Sequence, residues 1–413
     1  MIGRFARYAE RRWNFLDILE NVRDTRHNPS VPTSAVFLSV FGMHAVRHGS
    51  INALEQQLQI PGRWEPWVGP IKPSADTVAY AMERSDPEPL RIALADAARL
   101  AKRKKAFLRL YPDKYWVGAL DGIETYCSKK GSCSTCCQRN LGTEEAPIIE
   151  YYHREVVLQI VGVTPACILD EEPILSGETE TTAALRLLER FHARMPRFLD
   201  VLTMDAFYLQ APFAKRALDL GYGLVTILKQ EKRDLYQDAD ALFQITKSET
   251  SVLGVNGTAE VWDVKGLTSW IQLGRPVRVV RELKKYVKRE RVAKQWVERE
   301  VIEDWRWAVV FPDAQQPPAN LIRLWGHARW DEETRGFGEL TKHWHLDHCY
   351  HHHPVAMLAI RLILYLAFFL TTLFFQRNLK PAFSAGKTRL HLAGLLADGF
   401  VLGGVTSFWE NPP

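Results

Sequence analysis

Three acidic residues of this 413-residue chain stand where carboxylates could do metal chemistry. Asp121 ends the apolar run of YWVGALDG, and Asp205 ends that of VLTMDAFY. Glu333 lies in the polar stretch HARWDEETRGFGEL, which runs into a helix-like segment. Carboxylate oxygens suit a hard cation such as Mg²⁺, whose charge they balance. Three of them drawn from separate elements can hold two divalent ions, and two ions can clamp the attacking and leaving oxygens of a phosphodiester. The pattern therefore predicts phosphoryl transfer on nucleic acid. Taken singly, an Asp that ends a strand often only caps a turn or the next helix. Asp331, Glu332 and Glu339 crowd Glu333, so helical register decides which glutamate faces the aspartates.

Other side chains carry possible chemistry. Arg329 lies one helical turn before Glu333 and would share its face, where it could grip a phosphate. Lys229, at the end of the strand-like GLVTILKQ, could do likewise. The run AKRKKAFLR carries Lys104 and Lys105 among its cations, and residues 275–299 hold ten Lys/Arg against three Glu. Concentrated positive charge attracts a phosphate backbone, although solvated helix faces read the same way. Cys127, Cys133, Cys136 and Cys137 cluster just after Asp121, and Cys133 and Cys136 form a CxxC. One such pair without a second is a weak zinc signal, the alternative being a loop of reduced thiols beside the site. His343, His345, His348 and His351 to His353 look like a metal cluster, but their position after Glu333 favours surface or DNA-backbone contacts. Trp262 or Trp270 could stack on a flipped base, though a Trp in a β unit is more often core.

The elements that must position these residues fall into blocks. Residues 1–105 have apolar residues at helical spacing, punctuated by prolines, and predict an all-helical domain ending in a basic run suited to DNA docking. From about residue 111 the order reads strand, strand, strand, helix, strand, helix, strand, the order of a ribonuclease H-like core. In such a core the first and fourth strands are neighbours, which would set Asp121 beside Asp205, and α/β sheets place sites at strand carboxyl ends. The core is assigned to 106–239 and 301–385. A mainly β insertion covers 240–300, with strands such as FQITKS and VRVVREL and a hairpin turn at Asn256-Gly257. A tail follows at 386–413. The fold class is thus α/β: a ribonuclease H-like core with a β insertion and an N-terminal helical domain.

Composition sets the outer limits. With 46% hydrophobic and 24% charged residues, the chain is globular rather than disordered. The net charge of +5 is only weak evidence for a polyanionic partner. The first residues, MIGRFARYAERRW, lack the apolar core of a signal peptide, so a reducing cytoplasm is expected, with association with the nucleoid during action. Residues 355–375 carry one charge, Arg361, and are long enough to span a membrane. A lone stretch of this kind after a His- and acid-rich segment reads better as a buried core helix.

These motifs resemble the DDE transposases of bacterial insertion sequences, in the group with DNA-hairpin intermediates and a β insertion in the catalytic domain. The resemblance spans about residues 105–380, through ALDG, YYHREVVLQIVG, DAFY, ILK, RWDEETRGFGEL, HWHLDH and NL at 378–379. It implies that Asp121, Asp205 and Glu333 are catalytic and hold two Mg²⁺ ions, for which Mn²⁺ can substitute, with Arg329 as the motif's arginine. It further implies cut-and-paste strand cleavage and transfer, with double-stranded DNA (transposon ends and target) as partner, no membrane, and a homodimer on paired ends. An inactive, domesticated DNA-binding derivative or a metal-dependent nuclease with the same core are the alternatives. Two positions depart from the family pattern. Gly326 stands where a tyrosine is usual, and Leu340 where a lysine is usual, with Lys342 two residues further on. A single inserted residue around Thr334 to Gly336 is one repair. The departures bear on DNA-end contacts more than on metal chemistry.

Overall fold

The computed structural model describes residues 1–400 apart from 112, 132, 230, 232, 253–256, 293–294 and 313–316. Its first hundred residues form α1 (Ile2–Trp13), α2 (Phe15–Asn21), α3 (Thr33–Ala45), α4 (Ile51–Leu58), α5 (Ala75–Glu83) and α6 (Pro87–Arg103). The reasons are local. In α6 the Asp86 side chain accepts from the Glu88 amide, proline occupies the first turn, and Lys102 and Arg103 close the last. Its buried face of Leu90, Leu94, Ala97, Ala98 and Ala101 follows helical spacing.

Ten strands form one sheet: β1 (Val117–Ser128), β2 (Cys137–Asn140), β3 (Ile149–Val161), β4 (Cys167–Pro173), β5 (Val201–Met204), β6 (Gly223–Ile227), β7 (Glu249–Val252), β8 (Gly257–Leu267), β9 (Val277–Val292) and β10 (Gln295–Val310). The order is β2-β3-β1-β5-β6-β10-β9-β8-β7, with β4 also paired to β3. Strands β1, β5 and β6 are parallel, while β3 runs antiparallel to β1, and β10 antiparallel to β6. Helices α7 (Glu180–Arg194) and α8 (Ala211–Asp219) make the two crossovers that parallel neighbours require. The chain is therefore mixed α/β, as its pattern predicts.

The region read as an insertion extends this same sheet. A helix, α9 (Asp234–Ile245), precedes it, so Phe243–Ile245, expected in a strand, end a helix instead. Residue 300, the expected end of the insertion, lies inside the 16-residue β10. The buried end of β10, Trp307–Val310, pairs with β6, while β9 pairs with β10 from Gln295 to Val309. Asn256, half of the expected hairpin turn, lies outside the described residues, as do 401–413 of the tail.

After β10 come α10 (Ala319–Ala328), α11 (Gly338–Trp344) and α12 (Pro354–Arg377), then a short helix, Arg389–Asp398. Helix α12 is long and apolar enough to cross a membrane, yet 94% of its most apolar window is buried inside the protein. Helices α1, α3, α5 and α6 pack on it, as does β4. The N-terminal helices thus bury their apolar faces against α12 and share one core with the sheet, rather than closing a core of their own. The single buried charge of α12 explains its orientation. Arg361 donates to Glu171 of β4 at 2.8 Å and pairs with Glu155 of β3 at 2.8 Å, and Tyr365 donates to the other Glu171 oxygen at 2.7 Å. Burial pushes the Glu155 carboxyl up to about 7, against the pull of Arg361. On the same strand Asp170 is paired with Arg91 of α6 and Arg190 of α7.

Removing one member of a buried ion pair leaves the other uncompensated, at a cost of about 3–5 kcal/mol. Arg361→Met is expected to lower the unfolding free energy by about that much, read from the urea midpoint. A loss near zero would mean that the helix is held by apolar packing alone.

Candidate active site

The site is built at the carboxyl ends of the parallel strands. The β1–β5 ladder pairs Val117 with Val201 and ends at Leu120 opposite Met204. The next residue on each strand is Asp121 and Asp205, so parallel register alone sets the two acids side by side. Asp205 also caps the following 3₁₀ turn, its carboxylate accepting from the Phe207 amide at 2.7 Å. The structural role thus coexists with the position. Strand β6 pairs Thr226 with Met204, and beyond its end lies Lys229, exposed at the same edge.

The third acid arrives from the helical layer. Between α10 and α11 the chain makes a π-helical turn at Glu332–Phe337. Such a turn holds one more residue than an α turn and is frequent at functional sites. It falls where one inserted residue was expected, and absorbs one of the two positions by which Lys342 is displaced. Lys342 itself is exposed on α11. Two contacts with β3 hold the turn: Gln159 donates to the Asp331 carbonyl at 3.2 Å, and the Asp331 carboxylate accepts from the Gly162 amide at 3.1 Å. Gly336 lets the turn approach so closely. A Cβ there would lie 1.9 Å from the Gln159 amide oxygen.

Arg329, buried, links the two parts. Its guanidinium donates to Asp121 at 2.8 Å and to Glu333 at 2.7 Å. Expected to grip a phosphate, it is instead engaged by two carboxylates. Burial pushes the Asp121 carboxyl up to about 6; Arg329 opposes this, while the negative charges of Asp205 and Glu180 add to it. Glu332 is fully buried, and neither of its carboxylate oxygens has a hydrogen-bond partner. Burial first, and the nearby Asp121 charge second, hold it well above the usual carboxylate range. Glu333 is the glutamate that reaches the surface, its side chain 46% exposed.

One residue went unrecognised in the sequence. Glu180, at the start of α7, lies over Gly122, where a Cβ would come within 2.5 Å of its carboxylate. The Tyr208 hydroxyl donates to it at 2.9 Å, and Arg154 binds its other oxygen. That pairing gives the glycine of ALDG and the tyrosine of DAFY a physical reason, but a lone Glu opening a helix carries no signal of it.

Other candidates lie apart. The Lys104 ammonium donates to the Arg12 carbonyl at the end of α1 and sits over the Trp13 ring. Lys105, exposed, gives its carbonyl to Arg377. Lys102 and Arg109 of the same run are also tied to backbone carbonyls, so much of its charge serves internal contacts. Trp262 packs on Phe243 beneath Arg281. Trp270, largely buried, lines a groove of about 760 Å³ with Lys215 and Arg233, next to Leu209. Of the histidines, His351 pairs with Glu83 and His345 packs against Gly49, so these two serve the fold.

Residues 176–370 match the transposase DDE domain family, a span that includes Asp205, Arg329 and Glu333 and begins after Asp121. Over that span, a little under half of its length, the chain is similar to the DDE transposases. Among solved structures, the cryo-EM structure of a piggyBac transposase synaptic complex with hairpin DNA is similar at TM-score 0.44 and 12% identity, over 94% of this chain and 76% of that one. That likeness is too distant to bear on residue roles. No curated protein matches the chain.

Gly336→Ala is expected to push the π turn off β3 and to cost about 1–3 kcal/mol of stability, measured by chemical denaturation. Pairing it with Gln159→Ala should recover part of the loss. No recovery would mean that Gln159 is not what the added methyl strikes.

Proposed function

We propose that this protein is a cut-and-paste transposase of an insertion sequence, cleaving and rejoining DNA phosphodiesters with Asp121, Asp205 and Glu333 as metal ligands. The observation that carries the reading is the in-register parallel end of β1 and β5, with Glu333 tied to Asp121 through Arg329. The order β4-β3-β1-β5-β6, with only β3 reversed, is that of a ribonuclease H-like core. We take the matched family to supply the reaction class.

The residues fit divalent cations. Asp121 carries a carboxylate that burial and two neighbouring acids disfavour, and an added cation is what would balance it. Asp121, Asp205 and Glu333 would hold two Mg²⁺ or Mn²⁺ ions. Bound there, such ions lower the pKa of an attacking water and stabilise the departing 3′ oxygen. The chain's own residues do the rest. Arg329 holds the Asp121 and Glu333 carboxylates in a fixed relation. Glu332, fully buried, has its carboxyl pushed well up by burial, which disfavours a further negative charge there. Lys229, at the same sheet edge, and Lys342, on α11, are placed to meet phosphates. The outer half of β9, which forms a two-stranded arm with β10, carries exposed Lys285, Lys288, Arg289 and Arg291, which suits a DNA backbone. Trp270 and its groove beside Arg233 would receive a flipped base in a hairpin route. The protein would act in the bacterial cytoplasm as a homodimer on paired ends.

Asp121→Asn, Asp205→Asn and Glu333→Gln should each lower cleavage of the element's own ends by about 10³-fold or more while leaving DNA retention in a gel shift intact. Glu332→Gln, a near-isosteric change at a buried position, should cleave nearly as well as the parent. The reverse ranking of the two glutamates would move the ligand to Glu332. Intact binding with no cleavage in the parent would favour a domesticated DNA-binding protein, and cleavage without joining a nuclease.

Metal binding needs Asp121 ionised. Its folded-state value of about 6 exceeds the ordinary 3.8, so the proton is held until pH rises through about 6. Mn²⁺ affinity, followed by calorimetry, should therefore weaken about tenfold per pH unit below about 6. A flat profile from pH 7 to 5 would exclude Asp121 as a ligand.

A further inference from the structure

Away from the carboxylates, four side chains converge from three parts of the chain. Cys133 and Cys136 lie in the turn between β1 and β2, His153 on β3, and His352 just before α12. Their ligand atoms all lie within 4.8 Å of one another. The two sulfurs are 3.6 Å apart. His153 Nε2 is 3.3 Å from each sulfur, and His352 Nε2 is 3.3 Å from Cys136 Sγ. The two imidazole nitrogens are 3.2 Å apart.

These spacings have a simple reading. Zinc with bonds of about 2.3 Å to sulfur and 2.05 Å to nitrogen, at tetrahedral angles, separates its ligands by about 3.8 Å (S to S), 3.6 Å (S to N) and 3.3 Å (N to N). The five distances above follow that order and lie within about 0.3 Å of it. Hydrogen bonding alone does not explain the arrangement. His153 Nε2 faces two sulfurs and a second imidazole nitrogen at once, and a ring nitrogen has one proton or one lone pair with which to meet three neighbours. A disulfide does not explain it either, since the sulfurs are far beyond the 2.05 Å bond length.

We propose that Cys133, Cys136, His153 and His352 form a structural Zn²⁺ site. Two thiolates and two neutral imidazoles balance the ion's charge and fill its tetrahedron, leaving no open position for substrate. The donors are soft and borderline, whereas the carboxylate cluster offers only hard oxygen, so each site selects a different metal. The CxxC thus finds its second pair in two histidines distant in sequence, 216 residues separating Cys136 from His352. Zinc fastens the segment leading into α12 to β3 and to the end of β1. The Tyr126 ring, 4.6 Å from that of His352, covers one side. The other four cysteines lie outside the cluster: Cys127 is exposed, Cys137 makes a long contact to the Ile174 carbonyl, Cys167 is buried elsewhere, and Cys349 lies near Cys133 without joining it. The site shares no residue with the proposed catalytic set, so either can fail without the other.

The test uses the full purified chain, with its metal content read by inductively coupled plasma mass spectrometry. One zinc per chain is expected after dialysis, or on adding Zn²⁺ against a chromophoric chelator, with a dissociation constant no weaker than about 10⁻⁷ M. Co²⁺ in its place should give a thiolate charge-transfer band in the near ultraviolet and the visible absorption of a tetrahedral ion. Cys136→Ser and His352→Ala should each lose the metal, while Cys137→Ser should keep it. Because the cobalt spectrum is taken on the unsubstituted chain, a poorly folding variant does not decide the outcome. A chain that neither copurifies with zinc nor binds it, a Co²⁺ spectrum without sulfur bands, or a Cys133–Cys136 disulfide found by mass would each overturn the site.

Discussion

The parallel pairing of β1 with β5 is the constraint on which the active centre depends. Parallel strands place equivalent ends together, and a ladder that stops at Leu120 and Met204 sets the next residues of both strands, two aspartates, on one edge. Nothing about either aspartate alone fixes this. It follows from crossovers that return the chain in the same direction, and from apolar runs of matched length. Arg329 then links a helix on the far side of the sequence to the same edge, and the Asp121 charge makes its burial tolerable. Shifting either strand by one residue would turn its acid to the opposite face.

A second layer of charge secures the sheet to the helices. Strand β4 presents Asp170, Glu171 and Glu172, all buried, to arginines from three helices: Arg91, Arg190 and Arg361. An apolar core holds its parts together without specifying how they are rotated. Ion pairs at fixed positions do specify it, because each mispairing would leave a buried charge alone. Helix α12, apolar around its circumference, depends on Arg361 for its rotational setting.

How much was legible beforehand follows from the range of each signal. Helices and strands with regular apolar spacing, and the edge shared by Asp121 and Asp205, could be read because strand order fixes neighbours. Arg329 and Glu333 were legible as a pair by helical spacing, but not that Arg329 would bridge to Asp121 across the fold. The π turn was visible only as a mismatch in spacing, since its cause is the approach of Gly336 to Gln159, a long-range contact. Phe243–Ile245 read as a strand because short apolar runs suit both states, and tertiary packing made them helical. Glu180, and the partnership of His153 with His352, had no local signature at all.

Helix α12 follows the whole sheet in sequence, yet it fills the space around which α1, α3, α5 and α6 close. Their apolar faces are synthesised more than two hundred residues before the surface that covers them. Such widely separated contacts bring a large loop-closure cost and slow folding. A ribosome translating this chain therefore carries an unfinished core until α12 has emerged. A product truncated before it would contain Asp121, Asp205 and Glu333 without the core that supports the sheet beneath them.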